Sequence, residues 1–145
     1  MRAGCDANTR LNSLPSGILV RRFDKNWIAD SKSVFLYVPY NSVIARLAIE
    51  KNIRVVYEVF ADRTYQLDGH LTPRYLEHAM IHEVEEACKQ VLEIVQKYQV
   101  NTIQGDPIEI EADTICIHGD GINAVEFAKA IHTSLKNNQI EITQA

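Results

Sequence analysis

The amino-acid sequence predicts an α/β fold in which parallel strands alternate with helices. One observation behind this prediction is a strand, helix, strand pattern over residues 34–60, with connections of only a few residues between the three elements. A second observation is a β-branched segment at residues 114–118, which is followed by a segment whose apolar side chains recur at helical spacing. Both patterns are typical of a sheet built from βαβ units.

The predicted strands are short segments rich in β-branched and aromatic side chains. Residues 34–38 and 54–60 have this composition, and both are interpreted as buried strands. Residues 114–118 form the third such segment and lead directly into a glycine. Residues 100–111 contain Gly105-Asp106-Pro107 between two short extended pieces, which predicts a turn or a small hairpin.

Three further segments are predicted to be helices. Asn41 and Ser42 offer a cap for a short helix over residues 43–49. The strongest helical pattern has apolar side chains at three- and four-residue steps, namely Met80, Ile81, Val84, Ala87, Cys88, Val91, Leu92, Val95 and Tyr98. Asn123 is a candidate cap for the last helix, and one face of that helix is formed by Ala124, Phe127, Ala128, Ile131 and Leu135.

Residues 1–33 show neither a two-residue nor a 3.6-residue period, so this segment is left unassigned and residues 34–145 are treated as one α/β domain. The 145-residue chain is 46% hydrophobic and 23% charged, which is the composition of an ordinary globular protein. Such a chain can bury a core of its own without disulfides or a structural metal.

Charge and cysteine content exclude several classes of function. The net charge is −4 and the basic residues form no stripe, so a nucleic-acid partner is not expected. Cys5, Cys88 and Cys116 are widely spaced and form no C-x-x-C pair, which argues against a disulfide framework and against a thiolate metal site. The sequence shows no export signal or membrane span, and a reducing, cytoplasmic location is therefore expected.

Polar side chains follow two of the predicted strands at the point where each strand ends. The first strand end carries Glu58, Asp62 and Arg63, and the second carries His118 and Asp120 on either side of a glycine. Because the carboxyl ends of parallel strands meet at one edge of a sheet, these side chains are expected to lie close together. The sequence therefore predicts a candidate active site at this edge.

Two interpretations of this cluster are compatible with the spacing. In the catalytic one, an aspartate or histidine acts as general base on water while Arg63 balances the anionic charge of the transition state. In the structural one, an ion pair between Asp62 and Arg63 braces a loop, and a hydrogen bond between His118 and Asp120 caps a helix. Two interpretations also apply to Tyr65, which either contacts a ligand or anchors its loop.

His78, His82 and Glu83 form a second group that bears on metal binding, since a pair of histidines one helical turn apart can hold zinc. The apolar stripe of the predicted helix lies on roughly the opposite side, and the sequence contains no H-E-x-x-H. A solvated polar face is therefore the preferred interpretation, and no metal ligands are assigned.

Two motifs then connect the chain to a known family. Residues 58–65 read E-V-F-A-D-R-T-Y and are followed by Asp68-Gly69 and by Leu71-x-Pro73-Arg74. This segment closely resembles the E-V-F-A-D-R-x-Y…D-G-x-L-x-x-R segment of the LamB/YcsF family. Residues 114–120, T-I-C-I-H-G-D, resemble the family's C-V-H-G-D segment. The resemblance extends from about residue 35 to residue 142.

The resemblance implies both a fold and an activity. The fold is the C-terminal part of a distorted (β/α) barrel similar to the glycoside hydrolase and deacetylase fold. The activity is ATP-dependent ring-opening hydrolysis of 5-oxoproline to L-glutamate, as part of the A subunit of a multi-subunit 5-oxoprolinase. The resemblance implies that ATP is used through the partner subunits B and C, and it does not define whether a metal is required. The site residues implied are Asp62, Arg63, His118 and Asp120 for catalysis, and Glu58 and Tyr65 for substrate binding.

Other family motifs are not found in this chain. Family members begin with an Asn-x-Asp segment and carry His-Pro and Lys-Pro-His-Gly motifs, and none of these precedes residue 34. Only the last strand and helix units of the barrel are therefore expected. Two alternative functions follow, a noncatalytic truncated remnant that binds a partner or a ligand, and, by analogy of fold, a metal-dependent deacetylase-like hydrolase.

Overall fold

The computed structural model describes residues 35–119 and 123–143. The chain divides into two compact units, Met1–Tyr57 and Glu58–Ala145. Strand β1 spans Phe35–Val38, helix α1 spans Val43–Glu50 and strand β2 spans Arg54–Phe60, with the boundary between the units inside β2.

The first unit contains the predicted strand, helix, strand pattern. Strand β1 pairs in parallel with the first half of β2, from Phe35 opposite Arg54 to Val38 opposite Tyr57. Helix α1 provides the crossover, and its N-cap is Ser42, whose Oγ accepts a hydrogen bond of 3.2 Å from the Ala45 N–H. The sequence-based prediction of this βαβ unit and of its cap is confirmed.

The burial of β1 differs from the prediction of a buried strand. Val38 is 1% exposed, but Phe35 and Tyr37 are 43% and 46% exposed. The Arg54 guanidinium carbon lies 3.8 Å from the centre of the Phe35 ring, so this ring makes a cation–π contact with a charged group instead of packing in a core. Composition predicted the strand correctly, but not which of its faces is covered.

In the second unit, β2 continues into a pairing with strand β5, which spans Thr114–Cys116. The pairing is parallel, with Glu58 opposite Thr114 and Phe60 opposite Cys116. Strand β3 spans Gln99–Asn101 and pairs in antiparallel fashion with β4, which spans Pro107–Glu109. The predicted hairpin is therefore confirmed: Gly105 and Asp106 lie in its connection, residues 102–106, whereas Pro107 is the first residue of β4.

Two helices complete the second unit. Helix α2 spans Val84–Lys97 and helix α3 spans Ala124–Asn137, and they pack against each other. Their core also includes residues that follow β2 and residues from the segment before α2. The buried members of this core are Ala61, Ile81, Ala87, Val91, Phe127, Ile131 and Leu135. None of the helices in the described part of the chain is long and apolar enough to cross a membrane.

The start of α2 corrects the sequence-based prediction, which placed Met80 and Ile81 in this helix. Met80 forms an isolated antiparallel bridge with Arg63, and the Ile81 N–H donates a 3.0 Å hydrogen bond to the Asp62 carbonyl. The backbone at these positions pairs with the loop after β2, so it does not take part in the hydrogen bonds of the helix. Ile81 is nevertheless buried, which explains why it matched the apolar periodicity.

The ends of the helices show two smaller differences. Tyr98, predicted on the apolar face of α2, is instead its left-handed C-cap and is 61% exposed. Asn123 occupies the N-cap position of α3, but its side chain makes no capping hydrogen bond. Ala128, predicted to line the apolar face of α3, is exposed.

Candidate active site at the ends of two parallel strands

The register of β2 and β5 determines which side chains meet beyond the ends of these strands. Phe60 lies opposite Cys116, and the Ala61 N–H donates a 3.0 Å hydrogen bond to the Cys116 carbonyl, which extends the pairing by one position. Asp62 and His118 each follow this pair by two residues. Because the strands are parallel, equal offsets bring the two side chains to the same edge of the sheet.

Asp62 and His118 form a close and buried pair. The Nδ1 atom of His118 lies 2.9 Å from Oδ1 and 2.8 Å from Oδ2 of Asp62. The backbone N–H of His118 makes a longer contact of 3.4 Å with Oδ2 of the same carboxylate. Both residues are 7% exposed. The expected convergence of the two strand ends is therefore observed for these two residues.

The surroundings of Asp62 determine its ionisation. Burial acts to raise the pKa of Asp62, but the hydrogen bond from His118 and the positive charge of that ring outweigh it, so the pKa lies below its ordinary value. An ionised carboxylate accepts a hydrogen bond from an Nδ1–H group, and in the neutral tautomer that this contact favours, Nε2 is the proton-accepting nitrogen. The Phe60 ring stacks on His118 with centres 5.5 Å apart and restricts the orientation of the imidazole.

Arg63 is directed into the loop that follows β2. Its side chain donates hydrogen bonds to two backbone carbonyls, from Nη2 to Thr72 at 2.7 Å and from Nε to Ala79 at 3.3 Å. Arg63 is 4% exposed, and burial together with the charge of Arg74 lowers its pKa. The guanidinium thus braces the loop through carbonyl groups, whereas the structural interpretation of the sequence had named Asp62 as its partner.

Tyr65 is also part of this framework. Its hydroxyl oxygen accepts a 2.8 Å hydrogen bond from the Phe60 N–H, and the residue is 3% exposed. Burial raises the pKa of Tyr65, so the phenol stays protonated. Of the other expected site residues, Glu58 is half-buried in β2 opposite Thr114, and Asp120 lies outside the described residues.

Gln90 belongs to the site although sequence reasoning did not find it. Its Nε2 donates hydrogen bonds to the carbonyls of Arg63 at 2.9 Å and Phe60 at 3.0 Å, with a longer contact of 3.4 Å to Ala61. A signal was present in the sequence, because Gln90 lies one turn after Ala87 and one turn before Ile94, within the apolar stripe of α2. A polar side chain at a buried helical position needs buried hydrogen-bond partners.

His78, His82 and Glu83 precede α2 instead of lying within it. Helix α2 begins at Val84, and His78 has a φ of 59°, which is outside the helical region. The i,i+4 helical spacing on which the zinc interpretation depends is therefore absent. No group of three or more potential metal-binding side chains lies within residues 35–119 and 123–143.

Comparison with known proteins gives consistent matches. The model of the LamB/YcsF family matches residues 20–145, beginning ahead of the boundary predicted at residue 34. A protein of Bacillus cereus, named as the A subunit of 5-oxoprolinase, is 49% identical over 111 residues, which cover 76% of this chain and 44% of that protein. A protein of the same name from Oceanobacillus iheyensis is 44% identical over 110 residues, with 76% and 43% covered.

A solved structure has the same fold as this chain. It is the lactam utilization protein from Thermus thermophilus, with a TM-score of 0.72 and 32% sequence identity, and the match covers 79% of this chain and 45% of that one. The predicted α/β class is confirmed, and the match is consistent with a partial (β/α) barrel. This chain spans less than half the length of the curated relatives that it matches.

Proposed function

The chain belongs to the LamB/YcsF family, and on that premise we propose that it acts as part of the A subunit of a 5-oxoprolinase, in the ATP-dependent ring-opening hydrolysis of 5-oxoproline to L-glutamate. The observation that carries this proposal is the buried pair of Asp62 and His118, with contacts of 2.8 Å and 2.9 Å between Nδ1 and the carboxylate. Each residue lies in one of the two motifs that connect the chain to the family.

We propose that His118 acts as a general base that is oriented by the Asp62 carboxylate. In hydrolysis of a cyclic amide, a water oxygen bonds to the ring carbonyl carbon, the carbon–nitrogen bond breaks, and the nitrogen takes up a proton. In our proposal, Nε2 of His118 accepts the proton that the attacking water loses and returns it to the departing nitrogen. Asp62 holds the ring in the productive tautomer and stabilises the imidazolium that forms.

We propose that the partner subunits bind ATP. The chain has no G-x-x-x-x-G-K-[ST] sequence, so its own residues do not fit a P-loop nucleotide site. Relatives of this chain are named as one subunit of an enzyme, which supports an assembly of several subunits. We propose that subunits B and C activate the amide with ATP and that the assembly works in the cytoplasm, where ATP is supplied.

The other expected site residues take different places in the proposal. Arg63 and Tyr65 act through the loop that carries Asp62, because both are almost fully buried and their polar atoms bond to backbone groups. Glu58 and Asp120 are proposed to line the substrate site, on the strength of their positions in the two motifs. Metal analysis of the purified protein shows whether it holds a stoichiometric metal, as the deacetylase-like alternative requires.

The test is glutamate formation from 5-oxoproline and ATP by this chain together with subunits B and C and the N-terminal portion of a relative. We expect Asp62→Asn and His118→Ala each to lower the rate by about a hundredfold or more, since general-base catalysis contributes about 10² to 10⁴. The matched controls are Asp106→Asn and His132→Ala, both at exposed positions outside the two motifs, which should keep the wild-type rate.

Two results would contradict the proposal. One is the absence of glutamate from the assembled wild-type enzyme. The other is an undiminished rate in both Asp62→Asn and His118→Ala. The second result would favour the alternative in which the chain binds a partner or a ligand without catalysing a reaction.

A further inference from the structure

The amide of Gln90 lies against the backbone on both sides of Asp62. Its Nε2 contacts the carbonyls of Phe60 and Ala61, which precede Asp62, at 3.0 Å and 3.4 Å. It also contacts the carbonyl of Arg63, the residue that follows Asp62, at 2.9 Å. One side chain therefore contacts the backbone of the Asp62 loop, here defined as residues 60–65, immediately before and after the carboxylate that faces His118.

Helix α2 makes Gln90 a rigid support for this loop. Ala87, Val91 and Ile94 surround Gln90 on the helix and are each at most 1% exposed, so the helix is fixed by core packing. Gln90 itself is 9% exposed. A methionine would fill a similar volume at this position without any polar atom to satisfy, so packing alone does not account for the amide. Within the described residues, the hydrogen bonds of the Gln90 amide go to the Asp62 loop.

The contact between the two site residues is sensitive to the position of this loop. The Asp62 carboxylate accepts from Nδ1 of His118 at 2.8 Å and 2.9 Å, but the contact with the His118 backbone N–H is already 3.4 Å long. A displacement of a few tenths of an ångström in the loop would remove the backbone contact, and one of about 1 Å would also lengthen the two Nδ1 contacts beyond hydrogen-bond range. The loop must therefore be held on both sides of Asp62.

We propose that Gln90 is a positioning residue, which holds the Asp62 loop so that the carboxylate of Asp62 meets the imidazole of His118. The catalytic consequence rests on the function proposed above for this pair, but the positional consequence does not. A residue that only stabilises the fold would leave the hydrogen bond between Asp62 and His118 intact in any folded variant. If Gln90 is a positioning residue, a folded variant that lacks its amide should lose or weaken this hydrogen bond.

The first test compares Gln90→Met with Gln96→Met, a matched change at an exposed position on the same helix. Proton and nitrogen NMR of the full chain reports the His118 Nδ1 proton, which we expect in the wild type as a downfield signal in slow exchange with water. In folded Gln90→Met this proton should exchange at least about tenfold faster or lose its signal, and in Gln96→Met it should be unchanged. An unchanged Nδ1 signal in folded Gln90→Met would overturn the proposal.

A second measurement needs no variant and therefore applies even if Gln90→Met does not fold. In the wild type, the side-chain NH₂ protons of Gln90 should exchange with water at least about tenfold more slowly than those of Gln96, because they are hydrogen bonded and buried. Equal exchange rates for the two side chains would show that the contacts with the Asp62 loop are not maintained, and would overturn the proposal.

The catalytic consequence is measured in the assembled enzyme with its companion subunits. Gln90→Met should lower kcat by about tenfold to a hundredfold, with KM within about twofold of wild type, because a small misplacement of a reacting group affects the chemical step. A wild-type kcat in Gln90→Met would overturn this consequence. Absence of glutamate from the wild-type assembly would instead reject the proposed function, while the two NMR comparisons would still decide the role of Gln90.

Discussion

Asp62 and His118 are separated by 56 residues in the sequence and are in direct contact in the structure. The contact requires no unusual backbone, since each residue lies two positions beyond a pair of opposed residues in parallel strands. What the contact does require is a carboxylate that stays ionised when buried. The hydrogen bond and charge of His118 provide this, because they hold the pKa of Asp62 below its ordinary value.

Asp62 should make the folded protein more stable above the ordinary pKa of an aspartate than below it. In the unfolded chain Asp62 titrates near its ordinary value, whereas in the folded protein its pKa is lowered. Between these two values the unfolded chain binds more protons, so the contribution of Asp62 is complete above about pH 4 and is lost as the pH falls through the folded value.

This pH dependence can be measured by urea unfolding of wild type and Asp62→Asn between about pH 2 and pH 6. At the upper end we expect Asp62→Asn to be less stable by about 1–3 kcal/mol, the usual cost of removing a buried charged hydrogen-bond partner. The difference should narrow as the pH falls. Asp68→Asn, at an exposed position, should follow wild type throughout, and a gap for Asp62→Asn that does not change with pH would contradict the prediction.

Arg63 should contribute to stability more than an ordinary surface arginine does. Replacing it with methionine removes the Arg63 donors to the Thr72 and Ala79 carbonyls, of which the Ala79 carbonyl still accepts the Thr64 N–H at 3.2 Å. The expected loss is about 3 kcal/mol in the free energy of unfolding. Urea unfolding checks this value, with Arg74→Met as the control because Arg74 is exposed. Equal losses for the two variants would show that Arg63 does not brace the loop.

At the scale of elements, helix α2 shows that apolar periodicity in a sequence can predict a buried side chain correctly and its backbone conformation wrongly. Ile81 is buried as its spacing predicts, yet its N–H bonds to the Asp62 carbonyl and the helix begins at Val84. A periodic pattern records only which side chains are apolar, so it extends into any neighbouring extended segment that also faces the core. The difference matters here because the segment before α2 carries Ala79, one of the carbonyl partners of Arg63.

The packing of α3 against α2 should account for a large part of the stability of the second unit. Leu135 is 5% exposed and lies in the core formed by these two helices, so Leu135→Ala should cost about 3 kcal/mol through lost burial and the cavity left behind. Val125→Ala on the same helix is the control, since Val125 is 69% exposed and should change stability by less than about 0.5 kcal/mol. Thermal or urea unfolding measures both, and equal effects would contradict this assignment of the core.

At the scale of the molecule, the chain corresponds to part of a larger architecture. Within the described residues, β1 pairs on one side only, with β2 in the first unit, and β5 pairs on one side only, with β2 in the second unit, so the parallel pairing in each unit is open. A barrel requires every strand to pair on both sides. The match to 45% of the Thermus thermophilus protein is consistent with a partial (β/α) barrel.

The sequence by itself determined the order of the strands and helices, the βαβ unit, the hairpin and the convergence of Asp62 with His118. It could do so because these features depend on local composition and on a general rule, that parallel strands end at the same edge of a sheet. The family motifs added the two segments in which the site lies. These inferences do not depend on the individual hydrogen bonds that each side chain makes.

The tertiary structure alone decided the partners of Arg63, Tyr65 and Gln90, the start of α2 and the exposed face of β1. The hydrogen bonds concerned join side chains to backbone carbonyls or N–H groups, and almost every residue has such groups, so no residue type in the sequence marks them as partners. Whether a buried polar side chain faces a substrate or a loop depends on which of these groups the fold brings within about 3 Å of it. For Arg63 and Gln90 those groups belong to segments 9 to 30 residues away in the chain, and only the folded molecule brings them together.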